Sequence, residues 1–208
     1  MIVCDIGNTH IKFKQNNKIF NLSFDEPMPK FDEKIHYISV CKKGEKILKQ
    51  NYENTQDMSS IINFDTNYMG LGVDRAVACK YIKDGLIVDA GSAVTVDLVQ
   101  NFKHKGGYIL PGLKAYKKMY KNISQNLNYE QNFDFDIDKD TLPYDTASAI
   151  SYGVIQSILL LIKNTAKKSK ILITGGDGKM LSKYIKNTQY RENLVLNNLE
   201  QIIKENRC

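Results

Sequence analysis

Ile2-Val3-Cys4-Asp5-Ile6-Gly7-Asn8-Thr9 returns 84 positions later as Leu86-Ile87-Val88-Asp89-Ala90-Gly91-Ser92-Ala93, with the aspartates and the glycines in register. In each copy a run of β-forming residues delivers an aspartate, a glycine or small residue reverses the chain, and a second strand leaves, over 11–13 in one case and 94–99 in the other. A unit repeated at this spacing in a chain of 208 residues predicts two similar halves in tandem. Asp84-Gly85 is the expected boundary, giving domains 1–84 and 85–208.

Outward from the first copy, strands are expected at 1–7, 10–15 and 18–23, the last two joined by the tight-turn pair Asn16-Asn17. A loop at Glu26-Pro27-Met28-Pro29, a short strand at 36–40 and a helix at 45–52 follow. Gly70-Leu71-Gly72-Val73 then interrupts the chain before a helix over 74–83. The second half predicts strands at 86–90, 93–99 and 105–110, a helix at 113–122, an acidic loop at 134–140 and a long helix at 145–167. A buried strand at 171–174, a turn at Gly175-Gly176 and helices at 179–186 and 199–205 complete it. This duplicated order resembles an actin-like fold: α/β, with two tandem ribonuclease H-like βββαβα domains and a nucleotide cleft between them.

Composition fits a packed globular chain, with 42% hydrophobic and 25% charged residues, four prolines and no tryptophan. An aspartate at position 5 interrupts the first apolar run and no basic stretch precedes it, so no signal peptide is expected. The longest apolar run, 158–162, is far shorter than a membrane span. Cys4, Cys41, Cys79 and Cys208 show no CxxC spacing, and His10, His36 and His104 form no HExxH pair, so a reduced, cytoplasmic protein without structural zinc is expected. Net charge is +6, with lysines concentrated at 114, 117, 118 and 121 and again at 163, 167, 168 and 170. No aromatic residues interleave with them as in RNA-binding modules, so they read as solvated helix faces and nucleic acid is not expected as a partner.

Asp5-Ile6-Gly7-Asn8-Thr9 sets a carboxylate at a strand end, then a glycine free to take positive φ, then two small polar residues whose donors can surround phosphate oxygens. Lys12 lies two strand steps past His10 on the same face, where its ammonium could reach a β- or γ-phosphate. An ordinary hairpin with Asx-turn residues would look the same locally, and the copy at Asp89, Gly91 and Ser92 is what favours a phosphate site. Magnesium keeps its waters and needs only one or two carboxylates beside the phosphates, which makes Asp5 and Asp89 its candidates; Asp97 reads as structural. Asp74-Arg75 at a helix start could simply be a cap. As an exposed pair it could instead take a proton from a hydroxyl and hold an anionic substrate. Gly106-Gly107-Tyr108-Ile109-Leu110-Pro111-Gly112 opens a helix, and Thr174-Gly175-Gly176-Asp177-Gly178 lacks the P-loop spacing, reading as a shelf for adenine or ribose.

Taken together, Asp5-Ile6-Gly7-Asn8-Thr9, Gly72-Val73-Asp74-Arg75, 89–95, 106–112, Leu142-Pro143 with Thr146 and Gly153, Thr174-Gly175-Gly176 and Leu194-Val195-Leu196 resemble the type III pantothenate kinase family across nearly the whole chain. The resemblance implies ATP-dependent phosphorylation of pantothenate, the first step towards coenzyme A, by a cytoplasmic homodimer that uses Mg²⁺ and a monovalent cation, K⁺ or NH₄⁺. It implies that Asp5, Ile6, Gly7, Asn8, Thr9, His10, Ile11 and Lys12 bind ATP phosphates, with Ser92 contributing from the second loop. Asp89 would hold the monovalent cation, and Asp5 remains the candidate beside Mg-ATP. Asp74 would accept the proton of the substrate's primary hydroxyl, while Tyr68, Gly72, Val73, Asp74, Arg75 and Thr146 would contact pantothenate. Three departures stand out: Ser92 replaces the usual threonine, the asparagine-proline pair expected between Tyr68 and Gly72 is missing, and the chain is shorter than most members. Rival readings are another small-molecule kinase or polyphosphate phosphatase of the same fold, or a nucleotide-gated regulatory protein.

Overall fold

Each of the two aspartate-bearing hairpins opens a five-stranded sheet in the computed structural model, which describes residues 1–138 and 140–206. In the first, β1 (Ile2–Ile6), β2 (His10–Gln15), β3 (Lys18–Ser23), β4 (Ile35–Ser39) and β5 (Thr55–Asp57) take the spatial order β3-β2-β1-β4-β5. In the second, β6 (Gly85–Ala90), β7 (Ala93–Gln100), β8 (Lys103–Pro111), β9 (Ile171–Thr174) and β10 (Thr188–Tyr190) take the order β10-β9-β6-β7-β8. Strand for strand the orders correspond: β1 and β6 each lie between an antiparallel partner, β2 or β7, and a parallel one, β4 or β9. The helices are α1 (Lys42–Asn51), α2 (Val73–Cys79), α3 (Leu113–Ile123), α4 (Thr146–Ala166), α5 (Gly178–Leu181) and α6 (Leu194–Glu205).

The chain divides into two packed units whose boundary is not a single cut. The first holds Met1–Lys83, Asn101–Lys105 and everything described from Asn193 on; the second holds Asp84–Gln100 and Gly106–Glu192. The chain first passes from one to the other between Lys83 and Asp84, and it returns twice to the first unit. The tip of the β7–β8 hairpin turns through left-handed φ at Asn101 and Phe102, and the Phe102 N–H donates to the Lys83 carbonyl at 2.9 Å. Helix α6, expected in the second half, packs in the first.

In the first unit, period-2 alternation sends Ile2, Cys4 and Ile6 of β1 to one face with Ile11, Phe13, Tyr37 and Leu48 of α1. Val3 and Asp5 take the opposite face, where α6 meets β1 and α2 meets β4. Six apolar residues of α6, including Leu199, Ile202 and Ile203, are buried. Asn198 is buried among them and its Nδ2 donates to the Val77 carbonyl at 2.9 Å and the Ala78 carbonyl at 3.3 Å. Those carbonyls belong to the last turn of α2, which needs outside donors; α2 stops at Cys79 rather than continuing to 83. Lys14 Nζ adds an ion pair to Glu200 of α6 at 2.6 Å.

The second unit centres on α4. Its 21 residues are long and apolar enough to cross a membrane by length and composition, although no uninterrupted run signals it. Ile150, Val154, Ile155, Ile158, Leu159 and Ile162 are instead buried against Leu86, Val88, Ala90, Val94, Val96, Ile171 and Ile173 of the sheet. Removing one such aliphatic side chain from a core costs about 2–5 kcal/mol, so this face holds the unit together.

Candidate active site

In the first unit, the Gly7 N–H donates to the His10 carbonyl at 3.0 Å and closes a hairpin whose tip, Asn8 and Thr9, is exposed. Thr9 Oγ1 lies 2.8 Å from His10 Nδ1. Asp5 faces Lys12 in register one step further down the hairpin, and both are half-buried. Ile6 and Ile11, expected among the ligand residues, have fully buried side chains. They can face a ligand through their main chain alone, because the alternation that exposes Asp5 and Lys12 sends these two into the core.

Gly7 does not use the positive φ open to it: the left-handed glycines are Gly70, Gly106 and Gly175. A Cβ on Gly7 would find nothing closer than the His10 carbonyl at 3.7 Å. Neither the backbone nor the chain's own packing therefore requires glycine there. A cavity of about 440 Å³, lined by Asn8, Thr9, Ser23, Phe24, Asp25, Cys41 and Lys43, adjoins the tip.

The start of α2 lies at the same edge of this sheet. The Val40 N–H, just past β4, donates to the Ile6 carbonyl at 3.0 Å, and a Cβ on Gly72 would stand 3.7 Å from Val40 Cγ1. The hairpin tip and the helix start thus share the carboxyl ends of the parallel strands β1 and β4, where ligands of open α/β sheets bind. Gly72 is the N-cap residue of α2 and Asp74 sits in its first turn, where the helix dipole favours a carboxylate. Asp74 Oδ1 accepts the Arg75 N–H at 2.8 Å. A Cβ on Gly72 would come within 2.6 Å of that oxygen, so glycine is what lets the carboxylate fold over the helix start.

Asp74 and Arg75 are not the exposed pair that the sequence suggested. Asp74 is half-buried and Arg75 is 6% exposed, its guanidinium carbon 5.0 Å from the centre of the Tyr68 ring. An arginine capped by an aromatic face loses its water, and any anion it meets is bound more strongly for it. The Tyr68 N–H donates to Thr66 Oγ1 at 3.0 Å, which lies 2.8 Å from His104 Nδ1. No motif in the sequence marked Thr66 or His104.

In the second unit, the Gly91 N–H donates to the Ala93 carbonyl at 2.9 Å and leaves Ser92 exposed at the turn. Asp89, half-buried, faces Thr95 on one side and Thr174 on the other. Two further loops press on this turn. The Gly112 N–H donates to the Ser92 carbonyl at 3.2 Å, and a Cβ on Gly112 would fall 2.2 Å from the Gly91 carbonyl oxygen. Gly175 has φ +90° and a Cβ there would lie 2.3 Å from the Ala90 oxygen and 2.4 Å from Asp89 Oδ1. The Asp177 N–H, one residue past Gly176, also donates to Ala90 at 2.9 Å. Burial pushes the Asp177 carboxyl up from its ordinary value, and the charge of Lys114 partly opposes this. Asp97, read as structural, is 2% exposed. Thr146 is the exposed first residue of α4, whose N-cap Asp145 accepts the Ser148 N–H at 2.9 Å.

A family model described as type III pantothenate kinase matches residues 29–168. Curated relatives that bear that description include one from Campylobacter jejuni, 44% identical over 207 residues covering 99% of this chain and 98% of the relative, and one from Helicobacter hepaticus, 40% identical over 209 residues covering 99% of each. Among solved structures, a Campylobacter jejuni protein described as a conserved Baf family transcriptional activator superposes with a TM-score of 0.86 at 41% identity, covering 100% of this chain and 99% of its own. The apo psk41 ParM protein superposes with a TM-score of 0.50 at 11% identity, a likeness of fold alone, covering 99% of this chain and 98% of its own.

Proposed function

The chain belongs to the type III pantothenate kinase family, and from that premise we infer that it transfers the γ-phosphoryl group of ATP to the primary hydroxyl of pantothenate, giving 4′-phosphopantothenate at the entrance to coenzyme A synthesis. The observation that carries the site reading is the shared sheet edge of the first unit. The Gly7 turn and the Asp74 helix start are linked through Ile6, Val40 and Gly72. Phosphates seated on the turn N–H groups would lie beside Lys12, and Asp74 would take the hydroxyl proton as the new O–P bond forms and ADP leaves. Arg75 under the Tyr68 ring is the cation suited to the pantothenate carboxylate. Ser92 would add phosphate contacts from the second unit and Thr146 a substrate contact.

Mg²⁺ with the nucleotide, and K⁺ or NH₄⁺ near Asp89, belong to this reading. The donors fit: Asp5 and Asp89 supply hard oxygen atoms at strand ends, and among the described residues no group of three or more His, Cys, Asp or Glu forms a metal cage. That suits an ion that keeps its waters and rests on one or two carboxylates plus phosphates. When bound, such ions neutralise charge on the phosphates. A homodimer is supported by α3 and α4, joined by Tyr116 Oη and Ser157 Oγ at 3.3 Å, which leave Ile123, Leu160 and Leu161 exposed. The thiols of Cys4 and Cys41, in no disulfide, support a cytoplasmic setting.

The test is ADP release from ATP, measured with and without pantothenate in potassium and in sodium buffers. Release that depends on pantothenate and is faster in potassium is expected. Release indifferent to pantothenate would point to a phosphatase or another kinase, and no release with salt-sensitive retention on DNA would point to a regulator.

A further inference from the structure

We propose that His104 is the positioning residue that holds Tyr68 over Arg75, so that the tip of the β7–β8 hairpin sets the affinity of the acceptor site. This rests on the reading of Tyr68 and Arg75 as contacts to pantothenate. It adds a residue from a stretch, Asn101–Lys105, that lies nearly thirty positions further along the chain and carries no recognisable motif.

Lys80 Nζ holds the start of the segment over 63–69 through the Asn63 carbonyl, but its far end is open. Met69 is 94% exposed, Tyr68 is 37% exposed, and Gly70 has φ +73° with nothing near its Cβ position. What fixes it is His104, itself 3% exposed. The His104 N–H donates to the Asp65 carbonyl at 2.9 Å, making with Thr66 an isolated parallel bridge. Its Nδ1 lies 2.8 Å from Thr66 Oγ1, and the same hydroxyl oxygen accepts the Tyr68 N–H. A threonine hydroxyl can donate once while accepting, so Tyr68 N–H to Thr66 Oγ1 to His104 Nδ1 forms a continuous chain when Nδ1 is the unprotonated nitrogen. The imidazole is also flanked by rings, Phe64 at 6.0 Å and Tyr68 at 5.7 Å between centroids. Lys103 Nζ closes the same seam with Asp65 at 3.3 Å. Main chain, hydroxyl relay and ring contact all converge on the residue whose aromatic face covers the Arg75 guanidinium.

Without that anchor Tyr68 is a half-exposed side chain on a glycine-hinged loop, and the guanidinium beneath it loses its aromatic cover. An exposed cation binds a carboxylate weakly. The loss should therefore fall on acceptor binding and leave the nucleotide alone.

The test compares His104→Phe, which keeps a ring and loses the bond to Thr66, with His104→Asn, whose amide can reach the place of Nδ1, and with Thr66→Val, which removes the relay. Steady-state KM for pantothenate, KM for ATP and kcat are measured with the melting temperature of each variant. His104→Phe and Thr66→Val are expected to raise KM for pantothenate about three- to tenfold, the worth of one hydrogen bond, with KM for ATP within about twofold. His104→Asn should recover most of the loss, and the double variant should be no worse than the poorer single one. An unchanged KM for pantothenate in both His104→Phe and Thr66→Val overturns the proposal, as does an equal rise in both KM values tracking a fall in melting temperature. Arg75→Ala serves as the control: if it raises KM for pantothenate while the His104 and Thr66 variants do not, the positioning role alone is wrong. If Arg75→Ala itself leaves that KM unchanged, the acceptor-site reading falls and the positioning role with it.

Discussion

The turn at Gly7 and the turn at Gly91 share one sequence pattern and each closes an antiparallel hairpin, the second one residue tighter, yet they stand in opposite surroundings. A Cβ on Gly7 would touch nothing but its own hairpin at 3.7 Å, and beside the tip lies a cavity. Around Gly91, two other loops have come to within contact distance, through Gly112 against the Gly91 and Ser92 carbonyls and through Gly175 against Ala90 and Asp89. The same eight-residue pattern thus serves as an open receptacle in one unit and as a locked joint in the other. Glycine in the first is kept for something that arrives from outside; glycines around the second are kept for the chain itself.

Function and stability should therefore separate between the turns, and the largest effect belongs to the unit with the open one. Asp74→Asn is expected to lower kcat by about 10²- to 10⁴-fold while ATP still binds by calorimetry, and undiminished turnover would remove Asp74 from its role. Next come Gly112→Ala and Gly175→Ala, each expected to cost about 2–4 kcal/mol in urea unfolding. The added methyl meets backbone oxygen at 2.2 or 2.3 Å, and Gly175 adds the strain of a left-handed φ. Gly7→Ala should do the reverse, leaving stability within about 0.5 kcal/mol and raising KM for ATP about tenfold. Equal destabilisation by Gly7→Ala and Gly112→Ala would erase the contrast between the turns.

The smallest effect concerns acid. All three histidines lie in the first unit, and burial, with the charges of Lys34 and the amino terminus, holds His36 below its ordinary value of 6.5. The unfolded chain binds that proton first, so the first unit loses stability as pH falls below about 6.5 towards the lower folded value. Asp177 in the second unit is shifted upward, and its folded form takes up the proton first. The second unit should gain from that group as pH falls into the range just above 3.8. Hydrogen exchange resolved by unit between pH 7 and 5 checks the first half of this, since protection in the first unit should fall faster.

The hairpins were legible because alternation and turn residues act locally: the strands at Ile2–Ile6, His10–Gln15, Lys18–Ser23, Gly85–Ala90, Ala93–Gln100 and Ile171–Thr174 lie within a residue or so of where the pattern put them. The strands Thr55–Asp57 and Thr188–Tyr190 gave no such signal, being three polar-leaning residues each at a sheet edge, paired only because a parallel neighbour was already there. Helix α6 begins at Leu194, five residues before the expected start. The helix expected over 179–186 is regular only at Gly178–Leu181. In the site, the aspartates and turn residues were visible as a repeat, whereas the burial of Arg75 under Tyr68 and the part played by His104, 38 positions from Thr66, depend on tertiary packing. No local pattern encodes that.

The polypeptide passes between the units at 83/84, 100/101, 105/106 and 192/193. A ribosome therefore releases the phosphate hairpin and the Asp74 helix early, but the chain that anchors Tyr68 emerges some thirty residues later, and the helix that clamps α2 through Asn198 comes last of all. The half made first is the half finished last. A nascent chain halted before position 193 would carry every aspartate named above and still lack the brace that keeps one of them in place.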